Sequence, residues 1–149
     1  MDERRTTAMG LWTDAQEMLG AARVVSVAQG QRVSRPAYYW TGHGLEEALK
    51  AFLLVRGCSL QRLKQIGHDL DRALRAANED GLGQYCVLDA SETAMIRLLN
   101  CSYHAKELEY RSTGFVRYPE LQPLITLVDR LLVSIKPLCW ASLGCQTCP

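Results

Sequence analysis

The chain has no apolar stretch of the length that a membrane-spanning helix needs. Its opening residues, MDERRTTAMG, also lack the apolar core of a signal peptide. Both absences point to a cytoplasmic protein with no membrane partner. Net charge is scarce as well: 17 Lys and Arg against 16 Asp and Glu leave +1. No global field then draws in nucleic acid, and any nucleotide or RNA site has to be a local patch. Convincing strands are missing, since Tyr85 to Leu88 is short and isolated and one strand cannot satisfy its own ladder. No second C-x-x-C and no paired histidine motif accompanies Cys145 and Cys148, so a closed zinc site is not expected even with Cys139 as a third ligand. In a reducing compartment the six cysteines are free thiols by default. No cofactor signature is present.

What is present is helical periodicity in a chain of 149 residues, 48% apolar and 22% charged. That is the size and composition of one soluble domain, which buries about 70% of its unfolded surface. The stretch from Ala37 to Leu74 organises the rest. Tyr38, Leu45, Ala48, Leu49, Phe52 and Leu53 recur at three- and four-residue steps, with Glu46, Glu47 and Lys50 on another side. From Ala51 to Val55 the run is apolar all round, as in a central bundle helix. Gly42 and Gly44 inside it each cost about 1 kcal/mol relative to alanine, which a close helix crossing or the approach of a ligand can offset.

Gly57 ends this helix and Ser59 caps a short pattern of Leu60, Leu63 and Ile66, which stops at Gly67. Asp69 is a natural cap for the next helix. Ahead of the central helix, Leu11 to Val27 reads as a packing helix. After it, Asp89 and Glu92 form a capping-box start to a helix that runs on toward Leu108. Pro119 begins the last helix, with Leu121, Leu124, Ile125, Val128, Leu131, Leu132 and Ile135 on its stripe, and Pro137 ends or kinks it. The fold class is therefore all-α: an up-and-down bundle of about five helices over residues 1–137, followed by a cysteine-containing tail at 138–149.

The run LEEALKAFL from Leu45 to Leu53, followed by Gly57 and by Gly67-His68-Asp69-Leu70, resembles the HEPN superfamily, the higher eukaryote and prokaryote nucleotide-binding domains. That family pairs a helix of the form LExALKAxL with a GHDL turn and often an RYP element near the last helix, which Arg117-Tyr118-Pro119 supplies. The resemblance implies a homodimer built through long helices. It also implies a module that binds a nucleotide, RNA or a partner nucleotidyltransferase, in some cases as half of a toxin–antitoxin-like pair. Under it, Lys50, His68, Asp69 and Arg117 become nucleotide-binding candidates.

A second implication is a metal-independent endoribonuclease, in which an arginine stabilises phosphate charge and a histidine activates a ribose hydroxyl. Arg97 and His104 fit the R-x4-6-H spacing and fall nearly on one helical face about two turns apart. Leu98 stands where catalytic members typically carry a polar residue, so the binding module ranks first. Arg62 and His68 match the same spacing. Bland readings stand beside each candidate: Arg97 as a surface residue, His104 as a satisfied helix histidine, Asp69 as a cap, His68 as a turn residue and Lys50 as half of a solvated pair with Glu46.

Overall fold

The computed structural model describes residues 6–28, 33–110 and 114–144. Every regular element among them is helical. They are α1 (Ala8–Ala28), α2 (Arg35–Val55), α3 (Leu60–Ile66), α4 (Leu70–Glu79), α5 (Ala90–His104) and α6 (Leu121–Gly144), with a single 3-10 turn at Leu82–Gln84. The count is six rather than about five because the short Leu60, Leu63, Ile66 pattern closes a helix of its own, capped by Ser59. No described helix is long and apolar enough to cross a membrane.

α2 touches all five of the other helices. The sequence dictates this, because the helix is apolar all round from Ala51 to Val55, and Leu45, Ala48, Leu49, Ala51, Phe52 and Leu53 are all fully buried. Ser34 caps its start, accepting from the Ala37 amide, and Pro36 occupies the first turn. Its end is a Schellman turn. Gly57, at φ 90°, lets the Cys58 amide reach the Leu53 carbonyl at 2.9 Å and its own amide reach Leu54 at 3.1 Å.

Close helix crossings account for the two internal glycines. A Cβ on Gly44 would lie 3.2 Å from the Ala15 carbonyl of α1, and one on Gly42 would lie 2.7 Å from the Tyr103 ring of α5. α1 also binds α6 in opposite directions, with Arg23 on Asp129 at 2.9 Å and the Trp12 indole donating to the Leu132 carbonyl at 2.8 Å.

Three boundaries differ from the sequence reading. α5 stops at His104 instead of continuing toward Leu108. Lys106 takes φ 59°, and the Glu107 amide turns back to Ser102 at 2.9 Å, a left-handed stop made without the usual glycine. α6 begins at Leu121, two residues after Pro119, whose carbonyl is held by the Tyr38 hydroxyl at 2.5 Å while the Tyr38 and Tyr118 rings stack. α6 then continues through Pro137 to Gly144, so 138–144 belongs to the helix and not to a tail, and Cys139 is fully buried. Pro137 is tolerated because it lies on the exposed side, where water can take the Val133 carbonyl that loses its donor. Cys145 and Cys148 lie outside the described residues.

Candidate functional site

Four polar residues of α2, namely His43, Glu46, Glu47 and Lys50, fall at i, i+3, i+4 and i+7 and so share one side of an otherwise apolar helix. Glu46 is the centre of the group and is 1% exposed. Its Oε1 accepts from the Lys50 ammonium at 2.5 Å, its Oε2 accepts from the Tyr103 hydroxyl at 2.6 Å, and His68 Nδ1 lies 3.0 Å from Oε2. Tyr103 comes from α5 and His68 from the Gly67 turn between α3 and α4, so three parts of the fold meet on one carboxylate. Burial works to raise the Glu46 carboxyl. The Lys50 charge and the hydrogen bonds from Lys50, Tyr103 and His68 outweigh it and hold the group below the usual carboxylate range.

Counting protons settles how the network is wired. An ionised Glu46 only accepts, so Tyr103 spends its single proton on it. Burial, reinforced by the Glu46 charge, raises the Tyr103 phenol and keeps that proton in place. The Tyr103 oxygen can then only accept from His43 Nδ1, 3.0 Å away, and His68 Nδ1 must likewise donate to Glu46. Both imidazoles thus carry a proton on Nδ1, and Nε2 of each bonds to no other described residue. Burial lowers the His43 imidazole, against the pull of Glu46, which favours the neutral form.

Of the residues singled out from sequence, Lys50 and His68 are brought together on Glu46. Lys50 is not half of a solvated surface pair: it is 4% exposed, and its charge neutralises Glu46 instead of facing a ligand. His68 is the outward member, with its side chain 56% exposed. Asp69, next in the chain, is committed to structure. It caps α4 through the Arg72 amide at 3.0 Å and takes the Asn100 side-chain amide at 3.0 Å.

Arg97 and His104 share α5. The Arg97 guanidinium turns to Asp71 of α4 at 3.1 Å, beside the Arg75–Asp71 pair. His104 is exposed in the last turn of α5, and its imidazole makes no hydrogen bond to other described residues. Arg117 lines a separate groove with Leu98, Cys101 and Phe115. The competing Arg62 lies with Arg72, Arg75 and Gln65 in a cleft of about 330 Å³ between α3 and α4.

Sequence reasoning placed Glu46 and Glu47 on the polar side of the helix without making either a site residue, and it did not single out Tyr103 or His43. The available signal was the run of polar residues at i, i+3, i+4 and i+7 on a helix whose other positions are apolar. Comparison with protein-family models, curated proteins and solved structures gives no match, so the site is read from its own chemistry.

Proposed function

We propose that this chain is a HEPN-like helical module that binds a phosphate-bearing ligand, a nucleotide or RNA, at the surface around His68, without catalysis of its own. The observation that carries this is the presentation of His68. Its Nδ1–H is fixed by a buried, charge-compensated carboxylate, which leaves Nε2 at the surface, where the imidazolium form donates to a phosphate oxygen. A cleft between α3 and α4, the two helices that the His68 turn joins, is lined by Arg62, Arg72 and Arg75 with Glu79, and Arg62 and Arg72 supply local positive charge in a chain of net charge +1. Fluorescence anisotropy with labelled single-stranded RNA and with nucleotides tests the reading. Binding should weaken as salt rises. It should fall about tenfold in His68→Ala and further with Arg62→Ala and Arg72→Ala. Undiminished affinity in the folded His68→Ala variant would sink it.

The endoribonuclease reading keeps one supporting observation: Arg97 and His104 are both exposed on one helix and open to a polymer. Against it, Asp71 already engages the arginine, and nothing among the described residues orients the imidazole as a base needs. RNA cleavage that survives chelator and disappears in a folded His104→Ala variant would decide for it.

The assembly is proposed to be a homodimer, which leaves Val24 and Val27 of α1 and Val133 and Trp140 of α6, all exposed, as surface available to a second copy.

A further inference from the structure

The cleft between α1 and α2 holds groups that phosphate binding at His68 does not use. Asp14 of α1 and His43 and Glu47 of α2 line it, over about 300 Å³. Among the described residues, the side chains of Asp14 and Glu47 make no hydrogen bond or ion pair. Glu47 is half-buried. Two carboxyls thus line one cleft where no described residue offers a free counter-charge, since Lys50 is spent on Glu46. Beside them stands an imidazole of defined tautomer: His43 donates Nδ1–H to the Tyr103 oxygen, and its Nε2 lone pair remains. A histidine whose outer N–H is held by a hydrogen-bond acceptor is the usual arrangement of a metal-ligating imidazole.

We propose that His43 and Glu47, faced by Asp14 across the cleft, form a site for a divalent first-row transition metal ion. A ring nitrogen of His43 and carboxylate oxygens of Glu46 and Glu47 lie within 4.8 Å of one another. His43 and Glu47 are one helical turn apart, the spacing at which two side chains reach a common point. Glu46 already accepts from Lys50, Tyr103 and His68, and Lys50 neutralises its charge, so its part is to fix the tautomer of His43 through Tyr103 rather than to bond the ion. Asp14 closes the outer side, directly or through a metal-bound water. A mixed imidazole and carboxylate donor set suits manganese, iron, cobalt or zinc and disfavours the soft ions that select thiolate.

The test is a calorimetric titration of the full chain with Mn²⁺, an ion that takes oxygen and imidazole donors in preference to thiols, so that the cysteines do not register. One ion per chain is expected, with affinity falling about tenfold or more in Glu47→Gln and in His43→Gln. Circular dichroism checks that each variant is folded. Glu47→Gln is close to isosteric and partly exposed, so it keeps the test decisive should the histidine variant not fold. Absence of Mn²⁺ binding by the parent chain, or unchanged affinity in the folded Glu47→Gln variant, overturns the proposal.

Discussion

At the scale of single residues, the Glu46 carboxylate is the most consequential group in the molecule. With Lys50 only 4% exposed, Glu46→Gln strands a buried ammonium, and such losses run to about 3 kcal/mol or more. A denaturant-melt loss below about 1 kcal/mol would show that the pair is not the buried counter-charge described. The two adjacent glutamates respond to pH in opposite directions. Glu46 is depressed in the folded state, so its contribution is present above the ordinary 4.5 and is lost as pH falls through the folded value. Glu47 is raised to about 7, so it favours folding only while protonated, and that contribution is lost as pH rises from 4.5 through 7. Glu47→Gln should therefore stabilise the chelator-treated protein by about 1–2 kcal/mol near pH 8 and hardly at all near pH 5. Thermal melts at the two pH values check this; a gain of equal size at both would contradict it.

At the scale of elements, two glycines on neighbouring helices should respond oppositely to the same change. A methyl group at Gly42 would stand 2.7 Å from the Tyr103 ring. That ring cannot swing aside, because its hydroxyl is held by Glu46 and His43 and it is 6% exposed. Gly42→Ala should cost about 1–3 kcal/mol by pushing α2 and α5 apart, in spite of alanine's better helix propensity. Gly20 of α1 has nothing within 4 Å of its Cβ position, so Gly20→Ala should gain about 0.5–1 kcal/mol. Equal effects in urea melts would mean that propensity, not the crossing, sets the response at Gly42. Element boundaries followed local chemistry where that chemistry was legible. Asp69 caps α4, and Asp89 with Glu92 makes the capping box of α5. The end of α5 was not legible, because its left-handed residue is Lys106, which carries no turn signal.

At the scale of the whole molecule, α2 is wrapped by every other helix, so the bundle should unfold as a single unit. Phe52, fully buried at its centre, should cost about 3–5 kcal/mol when cut to alanine. Near-neutral behaviour in the same melts would remove it from the core. The dimer proposal is a matter of association. Sedimentation at micromolar concentration should give twice the chain mass, and replacing Trp140 and Val133 with glutamate should return the monomer. A monomer throughout the range would refute the dimer and leave the interior packing of α2 untouched.

The sequence by itself determined the all-α class, the central place of α2 and the caps of α3, α4 and α5. Each of these is a short-range property, read from three- and four-residue periodicity or from a side chain bonding an amide three residues away. Only the tertiary structure decided what the polar residues of α2 are for. In sequence, Glu46 and Lys50 make an ordinary surface pair, and nothing local marks them as buried. Tyr103 lies 57 positions from Glu46 and His68 lies 22 positions away, and their meeting depends on how α5 and the Gly67 turn pack against α2. Burial then removes water as the alternative partner and turns five scattered polar residues, His43 among them, into one hydrogen-bonded network that orients two imidazoles.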